Sequence, residues 1–346
     1  MENNPLLTIC IPSYNSQKTI KKTLDSILLQ TYPNFEVVFS DNNSTDKTIE
    51  IVESFKNPKI TIRKNKLYED QKKYPYLGCY DNYNGCIQSG LIKGTFVAFW
   101  HSDDIYKKEM AQKQVEFLIK NPEVGAVFTM ATTINQYDKV VGERKLSNNL
   151  KEMHKQIYNF EDIFKEIIYS GNTFLITPTF MTRTSIFKEL GEFSSEKDFG
   201  TSCDLEMWLR IAKKYPIAII DEKLILHRVG GGSRSYLKSR SKQADFFCVI
   251  DYYLKDSATV EENYLNQYEY QKDFDNTLRA VNFLVKGNVS EAAKLVSNPF
   301  SGNLLSAFFE NPSILRAKVL FLKFVLFLGI NLGFGKYLGK LLNKVF

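Results

Sequence analysis

The sequence predicts an α/β fold, with a mostly parallel β-sheet flanked by helices, followed along the chain by a helical C-terminal region. Short apolar runs, typical of strands buried on both faces, alternate with segments of helical periodicity along most of the chain. Polar, aspartate-containing segments follow several of these runs. Beyond residue 240 only helical periodicity remains, which predicts one domain at residues 1–240 and a helical region at residues 241–346.

The elements follow one another in βαβ order. A strand is predicted at Leu6–Pro12, then a helix whose apolar residues run from Ile20 to Leu28, then a strand at Phe35–Ser40. The order continues with a strand near Ile60–Arg63, a helix near Asn82–Leu91, a strand at Thr95–Trp100, a helix carrying Ala111, Val115, Leu118 and Ile119, and a strand at Val124–Met130. Because ligands bind beyond the carboxyl ends of parallel strands, the aspartates that follow two of these strands are predicted to share a binding rim: Asp41, Asp103 and Asp104.

The excess positive charge lies in the C-terminal tail. Residues 311–346 contain six basic residues and no acidic ones, whereas the whole chain has 45 Lys and Arg against 39 Asp and Glu. The rest of the protein is therefore neutral, which argues against nucleic acid as a partner. Apolar residues run from Val319 to Ile330, and Lys336, Lys340 and Lys344 recur every four residues. This pattern indicates a helix on a membrane surface, although packing of the same helix on the enzyme also explains it.

The N-terminus and the cysteines indicate a reducing compartment. An acid and a proline precede a short apolar run, so no secretory signal is expected. The five cysteines form no CxxC pair, which argues against a disulfide framework or a zinc site. Lys323, Asn331 and several glycines interrupt the apolar tail, so it is not expected to span a membrane. We expect a cytoplasmic protein that lies peripherally on the inner face of the membrane.

Several motifs in a fixed order carry a family resemblance. They are TICIPSYN at Thr8–Asn15, ILLQTYP at Ile27–Pro33 and FEVVFSDNNSTDKT at Phe35–Thr48. Further along come Lys93-Gly94 before the strand Phe96–Trp100, His101-Ser-Asp-Asp104 directly after that strand, then Arg183, Gly191–Phe193, and CDLEMWLR at Cys203–Arg210. Over roughly residues 6–236 the chain resembles glycosyltransferase family 2. The resemblance implies the GT-A fold, a nucleotide-sugar donor, transfer with inversion, and a divalent metal, Mn²⁺ or Mg²⁺.

The resemblance also implies which residues bind the nucleotide. Asp41 would accept a hydrogen bond from the base, which is uracil if the donor is a UDP-sugar. Pro12 and Tyr14 would form the wall of the nucleobase site, and Asn15 stands beside them as a further nucleotide-contacting residue.

The same resemblance implies that Asp103 and Asp104 hold the metal and the diphosphate. Carboxylate oxygens suit such a dication, although adjacent aspartates also occur as solvated or helix-capping residues. Two positions depart from the family pattern, because His101 replaces the usual first Asp and Cys203 replaces the Glu before the catalytic Asp. Imidazole can still ligate Mn²⁺ or contact the ribose, so His101 is a candidate third ligand, and the alternative is a structural histidine.

Asp204 takes the place of the catalytic aspartate in this resemblance. The apolar residues after it have helical spacing, which predicts that Asp204 lies in a first helical turn, where the helix dipole favours its ionised form. It is expected to act as the general base, and the alternative is a helix-capping aspartate. Glu206 and Arg210, four residues apart, are expected to form an exposed ion pair, and Trp100 and Trp208 to pack in the core.

A glycine-rich stretch, VGGGSRS, follows the last predicted strand end. Four residues in and before it could close over the diphosphate as a lid: His227, Arg228, Ser233 and Arg234. The alternative is a flexible linker to the helical region.

The function that these features favour is an inverting, metal-dependent glycosyltransferase whose acceptor is a lipid-linked sugar or a growing polysaccharide. One alternative is a sugar nucleotidyltransferase, although such enzymes usually carry a glycine-rich loop where this chain has Pro12–Asn15. Another is a non-catalytic nucleotide-sugar-binding protein, which the substitutions at His101 and Cys203 motivate. The identity of the sugar, the acceptor hydroxyl and the oligomeric state do not follow from the sequence.

Overall fold

The computed structural model describes residues 4–65, 78–230, 242–255, 262–300, 302–310 and 313–345. The chain divides into two compact units. One comprises Met1–Glu166 with Asn172–Val229, and the other Ile167–Gly171 with Gly230–Phe346. The domain boundary expected at residue 240 falls between described residues 230 and 242, and it stays a prediction.

The first unit is built on one sheet of ten strands. The strands are β1 Leu7–Ser13, β2 Phe35–Asp41, β3 Ile60–Lys64, β4 Phe96–Phe99, β5 Ile105–Tyr106, β6 Ala126–Ile134, β7 Val140–Arg144, β8 Ile157–Tyr158, β9 Met181–Arg183 and β10 Ile217–Arg228. The main path through the sheet runs β3-β2-β1-β4-β9-β6-β10-β5, while β7 pairs with β6 and β8 with β10.

Two parallel blocks of strands meet at one antiparallel strand. The strands β3, β2, β1 and β4 pair in parallel, as do β6 and β10. Between the blocks, β9 pairs antiparallel with both β4 and β6. The mostly parallel α/β fold expected from the sequence is therefore confirmed. The short β9 was not predicted, because three residues carry too little pattern to indicate a strand.

Most helices of the first unit are amphipathic and bury one face. The helices are α1 Ile20–Leu28, α2 Thr48–Ser54, α3 Cys79–Gln88, α4 Met110–Lys120, α5 Asn148–Glu152, α6 Phe160–Ser170, α7 Thr184–Leu190, α8 Glu196–Phe199 and α9 Cys203–Lys214. The short α8 has no buried residue. In α1 the residues at helical spacing, Ile20, Leu24 and Ile27, are all buried in the core that covers β1 and β2. Burial of both sheet faces explains why β1 reads as a continuous apolar run rather than an alternating one.

The second unit is helical where the structure describes it. Its helices are α10 Asp245–Lys255, α11 Glu262–Val285, α12 Val289–Leu295, α13 Gly302–Glu310, α14 Ile314–Asn331 and α15 Gly335–Val345. A small core joins α11, α12 and α14 through residues such as Leu284, Ala292 and Leu326. Among the described residues, no helix combines the length and the apolar character that crossing a bilayer requires.

Candidate active site

The ends of β1 and β2 bring the four predicted nucleotide residues to one edge of the sheet. The register pairs Pro12 with Ser40 and Ser13 with Asp41, so Asp41 lies level with the last residue of β1, just before the loop that carries Tyr14 and Asn15. Asp41 is only 2% exposed, and its carboxylate accepts hydrogen bonds from the amide and hydroxyl groups of Ser44. Tyr14, in contrast, is 52% exposed, so its ring is available to stack on a planar ligand. The nucleotide-binding roles of these residues stay predictions.

Asn15 ties the two loops together. Its φ of 51° places it in the left-handed region, which asparagine tolerates better than most residues. Its Oδ1 accepts a hydrogen bond from the amide of Thr45 at 2.8 Å, and its own amide donates to Ser44 Oγ at 2.9 Å. Asp46 accepts hydrogen bonds from the amides of Thr48 and Gln17, and it therefore holds the starts of α1 and α2.

The loop after β4 carries a compact cluster of metal-ligating groups. His101, Asp103 and Asp104 each offer one ligand atom, and these atoms lie within 4.8 Å of one another. Ser102, between them, shares a 2.7 Å hydrogen bond with Ser16 Oγ, which joins this loop to the nucleotide-side loop after β1. Burial and the neighbouring charge of Asp104 both raise the pKa of Asp103. Two carboxylates and an imidazole close together form a donor set that fits Mn²⁺ or Mg²⁺.

The end of β10 lies against this cluster. The short β5 pairs antiparallel with β10, joining Tyr106 to Ile225, and this brings the end of β10 to the acidic loop. Asp104 is fully buried and accepts a hydrogen bond from the Arg228 amide at 2.6 Å. His227 Nδ1 lies 3.2 Å from both of its carboxylate oxygens. Two strands far apart in sequence thus fix the position of Asp104.

The Arg228 side chain also contacts the loop after β4 and connects it to the end of β6. Its Nε donates to the carbonyl oxygen of Asp103 at 2.8 Å, its Nη1 donates to the Asn135 carbonyl at 2.8 Å, and its Nη2 pairs with Asp138 at 2.7 Å. Contact of Arg228 and His227 with the diphosphate stays a prediction. Ser233 and Arg234, the other two residues of the expected lid, lie outside the described residues.

Asp204 lies in the first turn of α9, as the sequence predicted. Thr177 donates a hydrogen bond to its Oδ2 at 2.9 Å, and the Leu205 amide donates to Oδ1 at 2.8 Å. Burial raises the pKa of Asp204, and the hydrogen bonds from Thr177 and the Leu205 amide oppose this rise. The role of Asp204 as the general base stays a prediction. A raised pKa makes the carboxylate a better proton acceptor.

Two tyrosines of α3 connect Asp204 with the metal-ligating cluster. Tyr83 Oη lies 3.0 Å from His101 Nε2, and Tyr80 Oη donates to the Thr201 carbonyl, next to Asp204, at 2.9 Å. Tyr80 also hydrogen-bonds the Asp204 carboxyl and so opposes the rise of its pKa. Neither tyrosine, nor Thr177, was predicted from the sequence as a site residue. The helix expected near Asn82–Leu91 did not include Tyr80, and no local pattern indicated what either tyrosine contacts.

The remaining expectations near the site are resolved by burial. Trp100 and Trp208 lie in the core, and Trp100 stacks on Tyr106 with ring centres 4.1 Å apart. Glu206 and Arg210 form the expected ion pair at 2.9 Å, but Glu206 is buried. The prediction that this pair is exposed is therefore wrong, because α9 is covered on that face as well.

Comparison with known proteins places this site in a family. The family model of glycosyl transferase family 2 matches residues 8–191, which is more than half of the chain. An uncharacterized glycosyltransferase of Rickettsia conorii is 25% identical over 255 residues, covering 74% of this chain and 38% of that protein. A UDP-Glc:α-D-GlcNAc-diphosphoundecaprenol β-1,3-glucosyltransferase of Escherichia coli is 32% identical over 113 residues, covering 33% of this chain and 41% of that protein. The chain thus spans well under half of the length of either relative.

Solved structures agree on the architecture. Residues 1–349 of TarS from Staphylococcus aureus, in complex with UDP, match with a TM-score of 0.55 and 16% identity, covering 94% of this chain and 91% of that one. A mannosyltransferase from Pyrobaculum calidifontis, in complex with GDP-Man and Mn²⁺, matches with a TM-score of 0.52 and 17% identity, covering 99% of this chain and 87% of that one. The fold is accordingly of the GT-A type, and the chain belongs to glycosyl transferase family 2.

Proposed function

We propose that the enzyme transfers a sugar from a UDP-sugar, with inversion, to a hydroxyl group of a lipid-linked or polysaccharide acceptor. The E. coli relative is named for a UDP-sugar donor and a diphosphoundecaprenol-linked acceptor, and the TarS structure contains UDP. Asp41 would read the base, with Pro12, Tyr14 and Asn15 beside it, which fits their place at adjacent strand ends. A lipid-linked acceptor would be met at the inner face of the membrane, where we place the enzyme peripherally.

The observation that carries this proposal is the closeness of the catalytic carboxylate to the metal-ligating cluster. Tyr83 Oη lies 3.0 Å from His101 Nε2, and the ring centre of Tyr83 lies 5.6 Å from that of Tyr80. Tyr80 donates to the carbonyl of Thr201, three residues before Asp204. His101 is also one of three clustered groups with Asp103 and Asp104. A donor diphosphate bound at the cluster would therefore present its sugar close to Asp204, which is the arrangement that sugar transfer requires.

The residues of the site would have three roles, which are metal binding, proton transfer and positioning. Asp103 and Asp104, with His101 beside them, would hold a Mn²⁺ or Mg²⁺ ion, which neutralises the charge of the departing diphosphate when bound. Asp204 would accept the proton of the acceptor hydroxyl while the oxygen of that hydroxyl attacks the sugar carbon from the side opposite the leaving group. Thr177 and Tyr80 would hold the carboxylate in position. His227 and Arg228 would fix Asp104 against the end of β10.

The first experiment is a panel of nucleotide sugars tested by thermal shift with Mn²⁺. The correct donor stabilises the folded protein by mass action and should give the largest rise in Tm. Chelation of the metal should remove most of this rise, as should Asp104→Ala. If no nucleotide sugar raises the Tm with or without a metal, the donor-site assignment is wrong.

The second experiment measures products. Addition of acceptor should release UDP, whereas release of pyrophosphate from a nucleoside triphosphate would indicate a nucleotidyltransferase. Asp204→Asn should lower kcat by about a hundredfold to ten-thousandfold while donor affinity stays unchanged. Unchanged transfer in Asp204→Asn would show that another residue is the base. Absence of both transfer and donor hydrolysis in the wild type would instead favour a non-catalytic binding protein.

A further inference from the structure

The two C-terminal helices of the second unit expose an apolar surface. On α14, Ile314 and Phe321 are 78% and 70% exposed. Steps of seven, seven and four residues place Ile314, Phe321, Leu328 and Leu332 on one side of that helix. We call the exposed apolar residues in and around α14 and α15 the apolar face: Ile314, Phe321, Leu328, Leu332, Phe334, Tyr337 and Leu341.

The charged residues on the other side of α14 point inward. Lys323 is only 2% exposed, and its Nζ pairs with Asp273 of α11 at 2.9 Å. Arg316 is also buried, and its Nη2 donates to Gln267 at 2.8 Å. Burying charges while exposing Phe321 is the reverse of what water favours. The arrangement therefore indicates that the outer side of α14 meets an apolar medium.

The packing of α15 leaves two of its large apolar side chains exposed, Tyr337 and Leu341, while Leu338 and Leu342 pack on the core. A Cβ atom at Gly339 would lie 2.1 Å from the Leu284 carbonyl oxygen, so α15 approaches the backbone of α11 closely through this glycine. Tyr337 and Leu341 are exposed, and so are Lys336 and Lys340. The helix thus presents aromatic, aliphatic and basic groups on the side away from α11.

All the charged residues in the C-terminal segment that carries the apolar face are basic. Lys318, Lys336 and Lys340 are exposed on these helices, and residues 311–346 contain no Asp or Glu. Anionic lipid headgroups complement such a surface, since basic residues beside apolar side chains are typical of helices that lie in the membrane interface. A second copy of the chain fits less well, because lysine is depleted from protein interfaces and the like charges of two copies would repel.

We propose that the apolar face is a docking surface for an anionic lipid bilayer. The apolar side chains enter the boundary between headgroups and acyl chains, and the three lysines contact anionic headgroups. This docking extends the proposed peripheral location by naming the surface that binds lipid. Only the identity of the membrane, its inner face, rests on the proposed function. It requires neither donor nor acceptor, so it can be tested apart from sugar transfer.

The test is cosedimentation of the full chain with vesicles of phosphatidylglycerol and phosphatidylcholine in equal parts, compared with phosphatidylcholine alone. The wild type should sediment with the anionic vesicles and release at high salt. Replacing Lys318, Lys336 and Lys340 together by Gln should weaken binding by about a hundredfold, since each lysine near an anionic surface contributes about fivefold. The combined change Phe321→Ser and Leu332→Ser should weaken it at least about tenfold.

Two controls make changes of the same kind on the first unit: three lysines to Gln, and one exposed apolar residue to Ser. Lys93, Lys120 and Lys188, which are also exposed, are replaced together by Gln, and the exposed Val140 is replaced by Ser. Both controls should bind anionic vesicles like the wild type. Circular dichroism shows whether each variant folds.

Three results would overturn the proposal. They are a wild type that does not sediment with anionic vesicles, folded variants of the apolar face that still bind like the wild type, and controls that lose binding equally. Formation of a dimer by the wild type that Phe321→Ser abolishes, without vesicle binding, would assign the face to a second copy. Activity on a short soluble acceptor should persist in the variants of the apolar face, which separates lipid docking from the sugar-transfer proposal.

Discussion

Replacement of Thr177 by valine tests whether Asp204 is the general base. The change removes one hydroxyl group and keeps nearly the same shape. In the structure that hydroxyl donates to Asp204 Oδ2 at 2.9 Å and lowers the pKa of the carboxyl group against the effect of burial. Thr177 is itself buried, so water does not readily replace the lost donor.

The size of the effect follows from the value of a hydrogen bond to a charged group. Such a bond contributes about 1.5–3 kcal/mol, and 1.36 kcal/mol corresponds to one pKa unit, so the pKa of Asp204 should rise by about 1–2 units. The base must be ionised to accept a proton, so activity is present above this pKa and lost below it. Thr177→Val should therefore move the acid limb of the pH profile of kcat/KM to higher pH by about the same amount.

The assay measures UDP release across pH at saturating Mn²⁺. Thr179→Val is the matched control, because Thr179 lies in the same turn and is equally buried, but its hydroxyl donates to the Ile176 carbonyl at 2.8 Å. Thr177→Ser should restore the profile of the wild type. If Thr177→Val lowers the rate equally at every pH and leaves the acid limb in place, Asp204 does not titrate as the base and the reasoning fails.

Three further outcomes are expected. Tyr83→Phe removes the hydroxyl that lies 3.0 Å from the imidazole of the metal-ligating cluster, so Mn²⁺ affinity should fall about tenfold in a direct titration, and an unchanged affinity would refute a supporting role. Lys323→Met removes the ion pair with Asp273 and should cost about 3 kcal/mol in urea unfolding, whereas a neutral effect would show that the pair contributes little. Gly339→Ala places a Cβ against a backbone oxygen and should cost about 1–3 kcal/mol, while Gly302→Ala, with no atom within 4 Å of its Cβ, should be tolerated.

The sequence alone determined the strands of the first unit that carry the predicted nucleotide and metal residues. The strands β1, β2 and β4 are buried on both faces, so each contains a mostly apolar run that can be recognised without its neighbours. Because parallel strands end at one edge, the positions of Asp41 and Asp104 at strand ends were enough to predict a common rim. The first turn of α9 was likewise visible from local helical spacing.

Tertiary structure decided the contacts that tune these residues. Thr177 and Tyr80 reach Asp204 from segments 27 and more residues away, and no local pattern records such a contact. Burial made Glu206 an interior group and raised the pKa of Asp204, although the local helix start favours the opposite direction. Sequence periodicity reports which side of an element is apolar, whereas desolvation depends on what the rest of the chain places over it. For this reason the residue types of the site could be read from the chain, and their protonation and supporting partners could not.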